Sequence, residues 1–161
     1  MTEGADLADD QAVFSMFLLL CESVSRRLRE QGLLASAVAV DIRDDMLTTV
    51  GHQAKLMAPT RNALKLAQAA MQLFSQRWRW GKGRTVRSVG VRGYDLVRDG
   101  AVWQLSFFQE TAREERLERL ASDADRLRAR YGRGALVRAS LLGRNDCSPT
   151  PSALQREGIL R

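Results

Sequence analysis

The amino-acid sequence predicts an α+β fold. We expect a two-layer sandwich in which a four-stranded, antiparallel-rich sheet carries two helices on one face. Three observations support this class: apolar stripes at helical spacing, runs of alternating apolar residues, and their order along the chain. After an N-terminal helix the elements follow as β-β-α-β-α-β. A chain of 161 residues has room for one core. We expect a flexible N-terminus over residues 1–8, a folded domain over 9–142 and a mobile polar tail over 143–161.

The first helix is predicted from an acidic cap and an apolar face. Asp9 or Asp10 can accept hydrogen bonds from the first free N–H groups, and Gly32 marks the end of the helix. The apolar face recurs at spacings of three and four: Phe14, Phe17, Leu18, Cys21, Val24 and Leu28.

Two further helices follow the same logic. Pro59 and Thr60 predict the start of the second, with Thr60 as its cap, and the glycines at 81 and 83 stop it. Its predicted buried stripe is Leu64, Ala67, Met71, Phe74 and Trp78. The third begins with a capping box over residues 111–114 and ends at Gly132. Its predicted buried stripe is Leu117, Leu120, Ala124, Leu127 and Tyr131.

Four strands are predicted from alternation of apolar and polar residues. Residues 37–43 and 47–56 form a hairpin around the turn Asp44-Asp45, the third strand spans 85–96, and the last spans 135–142. Because both helices following the hairpin would pack on one face, the opposite sheet face would be open to water or a ligand.

The positive charge is concentrated in one segment. The chain carries a net charge of +6, and residues 77–98 hold seven basic residues against one acid, Asp95. Clustered positive charge is typical of nucleic-acid binders. The alternative is that arginine simply replaces lysine throughout, since the chain has only three lysines. That alternative explains the residue type and leaves the clustering unexplained.

Several classes of site are disfavoured. Cys21 and Cys147 lack ligand partners at metal-binding spacing, and His52 is the single histidine. A disulfide framework or zinc site is therefore not expected, and a reducing cytoplasm fits better. The apolar run 12–21 is too short to span a membrane and follows acidic residues.

The open face collects candidate phosphate contacts. In the third strand, Val89 and Val91 have core parity, and the other parity carries Val86, Ser88, Gly90 and Arg92. A mid-strand glycine would let a backbone such as a phosphodiester approach closely. Other strands would add Arg43, Gln53, Lys55 and Arg138. Such a face would follow a phosphate backbone without reading bases.

Residues 104–108 form a short apolar motif in a connector. They are Gln104, Leu105, Ser106, Phe107 and Phe108. Either Leu105 and Phe108 fold back onto this domain's own core, or the run docks into a pocket on a partner. The run resembles the Gln-Leu-Ser-Leu-Phe type of motif by which bacterial DNA polymerases bind their sliding clamp.

The chain as a whole resembles the little finger domain of Y-family (UmuC/DinB-type) translesion DNA polymerases. The likeness extends over about residues 14–142. It is carried by GHQAKL at 51–56 with Pro59 and Thr60, WGK at 80–82, VRSVGV at 86–91, QLSFF at 104–108, DRLRARYG at 125–132 and VRAS at 137–140.

This resemblance implies a non-catalytic domain that grips template and primer backbones, with the sliding clamp and the rest of the polymerase as partners. It makes Arg87 and Arg92 the best phosphate contacts, with Arg84 beside them. Strict alternation instead turns Arg87 toward the core, so the two interpretations disagree there unless the strand has a bulge or an edge at that point. In the clamp motif, Phe107 stands where Leu is usual.

The resemblance also implies that chemistry lies elsewhere in the parent polymerase. The palm carboxylates that hold two magnesium ions have no counterpart here, so we expect neither catalytic residues nor a metal or cofactor site in this chain. The alternative function is a protein-interaction module that uses the open face without binding DNA. An independent enzyme is a poor third hypothesis, because His52 has no partnered nucleophile.

Overall fold

The computed structural model describes residues 2–7, 9–81, 85–100 and 111–139. The elements in chain order are β1 (Thr2–Leu7), α1 (Asp10–Glu30), β2 (Leu33–Asp44), β3 (Thr49–Thr60), α2 (Ala63–Arg77), β4 (Val86–Arg98), α3 (Thr111–Tyr131) and a 3₁₀ turn (Arg133–Ala135). None of the helices in these ranges combines the length and apolar content needed to cross a bilayer.

The four strands form one antiparallel sheet in the order β1-β4-β2-β3. β2 lies at its centre, paired with β3 on one side and β4 on the other. The predicted hairpin is present, and its turn is fixed by Asp44, whose side chain accepts a hydrogen bond from the Thr48 N–H at 2.8 Å. The α+β class and the antiparallel sheet predicted from the sequence are confirmed.

The fourth strand differs from the one predicted. Residues 135–139 of the expected last strand lie in the 3₁₀ turn and in irregular backbone, so the prediction is wrong for these residues. Their place is taken by β1, in a segment that we had expected to be flexible. β1 pairs with the start of β4 on one edge, and β2 pairs along the other edge of β4. The sandwich is therefore β-α-β-β-α-β.

The helical layer consists of α1 and α2, where the sequence had predicted α2 and α3. The side chain of Asp9 accepts a hydrogen bond from the Ala12 N–H at 2.6 Å, which confirms the predicted cap of α1. Phe17 of α1 meets Phe74 of α2 edge to face, with ring centroids 6.1 Å apart. Both rings are buried with the inward residues of the sheet in one core.

The phase of α2 is rotated relative to the prediction. Its N-cap is Asn62, whose side chain accepts hydrogen bonds from the N–H groups of Leu64 and Lys65 at 2.9 and 3.3 Å. Thr60, the predicted cap, instead ends β3. Leu64, in the first turn, is exposed. The buried positions are Ala63, Leu66, Ala67, Ala70, Leu73 and Phe74.

α3 packs differently from the other two helices. Its predicted buried side chains Leu117, Leu120, Leu127 and Tyr131 are exposed, because α1 already occupies the sheet face that they would need. Ion pairs connect α3 to the sandwich instead. They join Arg29 to Asp125 at 2.6 Å, Arg61 to Glu118 at 2.5 Å, Glu22 to Arg128 at 3.2 Å, and Lys65 to Glu114.

Candidate nucleic-acid interface

The sheet face opposite α1 and α2 is the candidate site, and strand register builds it row by row. Residues paired directly in neighbouring antiparallel strands point to the same face. Val38, Val40 and Ile42 of β2 are buried on the helical side. The residues between them therefore point outward, with their partners from β3 and β4: Thr49, Arg43 and Ser88; Gly51, Asp41 and Gly90; Gln53, Ala39 and Arg92; Lys55, Ala37 and Tyr94. We call these twelve residues the open face.

Six of the nine predicted DNA contacts come together on this open face. Its exposed side chains include Arg43, Gln53, Lys55 and Arg92. Small residues, two glycines and two alanines, lie between them, together with Asp41, whose carboxylate lies between the two glycines. A face with cations at its sides and little bulk at its centre can accept a phosphate backbone at close range.

A β-bulge resolves the disagreement over Arg87. Arg43 pairs with Ser88, but the next residue, Asp44, pairs with Val86, so Arg87 is an extra residue in β4. A bulge interrupts the alternation of side chains and re-aims one of them. Val86, which strict parity had placed on the open face, is fully buried, and Arg87 is exposed beside Ser88. Arg87 is therefore not turned into the core as strict alternation predicts, and its contact with DNA stays a prediction.

The structure corrects one predicted site residue and leaves others undescribed. Arg138 was expected on a sheet strand, yet it lies on the α1 side and forms an ion pair with Glu22. It is therefore absent from the open face. Arg84 and the whole motif 104–108 lie outside the described residues.

Two polar residues of the open face are not among the DNA contacts predicted from the sequence. Tyr94 shares the parity of Arg92 and is half-buried beside Ala37, so alternation alone could have identified it. Asp41 shares the parity of Arg43, so alternation places it on this face, but alternation does not show which charges pair. The guanidinium Nη2 of Arg92 lies 2.9 and 3.1 Å from its two carboxylate oxygens.

The open face is electropositive overall and offers little chemistry beyond charge. Its cations Arg43, Lys55 and Arg92, with the exposed Arg87 of the adjoining bulge, are set against the single carboxylate of Asp41. Nothing in the described ranges brings three or more His, Cys, Asp or Glu side chains together as a metal site. The arrangement can hold an extended polyanion through charge and hydrogen bonds.

Comparison with known proteins identifies the family. Residues 1–107 match the family model described as the impB/mucB/samB family C-terminal domain. This match spans β1 through β4, which is the complete sandwich, and ends before α3. The β-α-β-β-α-β unit seen in the structure therefore lies within the residues that match the family model.

The relatives compared below are named DNA polymerase IV or DNA polymerase IV 2. The DNA polymerase IV of Acetivibrio thermocellus is 35% identical over 142 residues, which are 88% of this chain and 35% of that protein. That of Pelotomaculum thermopropionicum is 33% identical over 143 residues, 88% of this chain and 32% of that protein. DNA polymerase IV 2 of Bacillus subtilis is 32% identical over 136 residues, 83% of this chain and 31% of that protein. The chain spans about a third of the length of these relatives.

Solved structures show more distant likeness. One is a complex of the beta-clamp processivity factor with the little finger domain of PolIV, at TM-score 0.46 and 20% identity, covering 68% of this chain and 95% of that one. Another is DinB from Sulfolobus solfataricus, at TM-score 0.44 and 14% identity, covering 61% and 26%. The family match itself covers well over half of the chain and confirms the resemblance inferred from the sequence. The chain belongs to the impB/mucB/samB family, as a C-terminal domain of that family.

Proposed function

We propose that this chain is the DNA-binding little finger domain of a Y-family translesion DNA polymerase. In this proposal the parent is a DNA-directed DNA polymerase, and this domain contributes grip rather than chemistry. Its ligand is the backbone of duplex template–primer DNA, and its site of action is the cytoplasm. The relatives named DNA polymerase IV support the parent's activity, and the open face supports the ligand.

The observation that carries the proposal is the convergence of predicted contacts on one side of the sheet. Arg43, Lys55 and Arg92 come from three different strands, and register places all of them on the open face. Arg87 joins them through the bulge. Side chains spread over three strands match an extended row of phosphates better than a small anion, which would need a tight cluster.

The proposal predicts salt-dependent binding to duplex DNA without sequence preference. With four cations engaged, log K plotted against log salt concentration should have a slope of about −3.6. Fluorescence anisotropy of a labelled primed duplex measures this slope. Arg43→Ala should weaken binding and flatten the slope by about 0.9. Arg138→Ala, which removes an arginine from the helical side, is the matched control and should bind as the unchanged chain does.

Two outcomes would count against DNA binding. One is affinity that does not depend on salt. The other is an Arg138→Ala variant that loses as much affinity as Arg43→Ala, because general positive charge would then suffice. If DNA binding is absent but another protein binds the open face, the interaction-module alternative is favoured. The chain alone should incorporate no nucleotide on a primed template, and measurable incorporation would contradict the assignment of chemistry to the rest of the parent.

A second part of the proposal is binding of a bacterial sliding clamp through residues 104–108. It rests on the sequence motif alone. The double variant Gln104→Ala/Phe108→Ala should abolish capture of a purified clamp, because it removes both the amide and the aromatic anchor. Gln109→Ala, one residue beyond the motif, is the control and should leave capture intact. Unchanged capture by the double variant would show that these residues are connector.

A further inference from the structure

The centre of the open face carries a carboxylate among cations. Asp41 lies on β2, and its Cα partners are Gly51 on β3 and Gly90 on β4. Neither neighbour has a side chain, so the carboxylate can lie low between the strands. A β-carbon at Gly51 would be 3.1 Å from Asp41 Oδ1, and one at Gly90 would be 3.6 Å from Asp41 Oδ2. Glycine at position 51 thus leaves room for this carboxylate.

Arg92, in the next row along, is held by that carboxylate. Its Nη2 donates toward both oxygens of Asp41, at 2.9 and 3.1 Å. The side chain of Arg92 is nevertheless 70% exposed and that of Asp41 37% exposed. An ion pair this open to water is weak and screened by salt. The guanidinium is therefore accessible to a competing anion.

A phosphate arriving at the open face meets an arginine whose charge is already matched. To take the Nη2 donors of Arg92, the phosphate has to displace Asp41, which also repels it. We propose that Asp41 is an internal competitor for Arg92, which lowers the affinity of the open face for phosphate backbones, and that duplex binding transfers Arg92 from Asp41 to a phosphate. This inference rests on the proposed function and names a residue that limits the affinity of the open face for duplex DNA.

The experiment is a double-mutant cycle on duplex affinity and its salt slope. Asp41→Asn keeps the shape of the side chain and removes its charge. It should tighten duplex binding roughly two- to fivefold at low salt, the scale of an exposed ion pair, while the salt slope stays near about −3.6, because Arg92 contacts a phosphate in both complexes. In an Arg92→Ala background, the same substitution should have a much smaller effect.

Asp95→Asn is the matched control for loss of one negative charge. Asp95 is an exposed acid of β4, the strand that carries Arg92, and its positive φ of 54° is one that asparagine tolerates. The gain from Asp41→Asn should exceed the gain from this control. In the Arg92→Ala background, Asp41→Asn and Asp95→Asn should increase duplex affinity by the same factor.

Three results would overturn the inference. Equal tightening with and without Arg92 would make Asp41 a simple repelling charge. Unchanged affinity would show that the pair does not compete with phosphate, and weakened affinity would show that Asp41 positions Arg92 for binding.

A heparin column separates failure of this inference from failure of the proposed function. Sulfate groups compete for arginine as phosphates do, whether or not duplex DNA is a ligand. If the unchanged chain does not bind duplex, DNA binding is wrong. The inference about Asp41 then stands if Asp41→Asn elutes from heparin at higher salt than Asp95→Asn, and it falls if the two elute together.

Discussion

At the scale of single residues, Arg87 shows where the alternation of side chains along a strand stops predicting their orientation. Alternation from Val89 and Val91 placed Arg87 toward the core, and the family resemblance placed it on DNA. The bulge settles the side chain's position, because it adds one residue between two otherwise regular pairings. Sequence periodicity cannot reveal a bulge on its own, since the register of β4 is fixed by its partner β2.

Asp41 shows a different limit at the same scale. Parity placed it correctly on the open face, but a pattern of apolar and polar residues does not tell which charges pair. Its contact with Arg92 depends on the relative register of two strands that are far apart in sequence. Only the assembled sheet shows that one arginine of the open face is already engaged.

Cys21 provides a prediction about stability and pH. The thiol is fully buried in α1, and burial raises its pKa from the ordinary value of 9.0 to about 12. The unfolded chain loses this proton near pH 9 and the folded chain retains it. The stability that this group contributes is therefore complete below pH 9 and is lost as pH rises toward 12.

Between pH 8 and pH 10.5 the free energy of unfolding of the chain should fall by about 2 kcal/mol more than that of a Cys21→Ala variant, which has no thiol to ionise. Urea unfolding of both proteins at the two pH values measures this difference. Parallel losses in the two proteins would show that the thiol ionises equally in the folded and unfolded states.

At the scale of elements, helix starts were harder to predict than helix existence. All three helices are present, but the cap of α2 is Asn62 rather than Thr60. Both residues are good caps in general, and the choice depends on where β3 releases the chain. The side of α2 that faces the core is set by its packing against α1 and the sheet, and it leaves Leu64 exposed. The predicted burial of the apolar side of α3 is wrong for another reason. The sheet face against which this helix was expected to pack is covered by α1.

The two possible caps can be separated by measurement. Asn62→Ala should lower the free energy of unfolding by about 1 kcal/mol, because two N–H groups at the start of α2 lose their acceptor. Thr60→Ala should cost less, since Thr60 accepts one hydrogen bond, from the Asn62 N–H at 3.1 Å. Chemical denaturation of both variants tests the order. A larger loss of unfolding free energy for Thr60→Ala would show that Thr60 is the cap of α2, as predicted from the sequence.

At the scale of the whole molecule, the fold class was predictable and the assignment of its fourth strand was not. The sequence of β1, TEGADL, has a glycine and two acids and lacks an alternating apolar pattern. Its pairing with the free edge of β4 is a backbone interaction between distant parts of the chain, so no local pattern predicts it. Residues 135–142 do alternate, and without knowledge of β1 they were the better candidate.

This topology predicts that the sandwich folds without α3. A chain that ends at residue 110 retains β1 through β4 and both core helices, and charged side chains that α3 had paired, such as Arg29 and Arg61, become open to water once α3 is absent. It should unfold in one cooperative transition with a midpoint within a few degrees of the complete chain. Circular dichroism during heating measures this. A broad transition or loss of the folded signal would show that α3 is part of the core.

The edge position of β1 has a mechanical consequence. β1 pairs only with the first residues of β4, through Thr2 with Ser88 and Leu7 with Val86, and runs antiparallel to it. The start of β1 and the end of β4 therefore lie toward the same end of the sheet. A pulling force applied between Thr2 and Arg98 would separate these strands one pair at a time, the loading geometry in which a sheet resists least. Under tension β1 would peel away first, while the central pairs of β2 with β3 and β4 stayed closed.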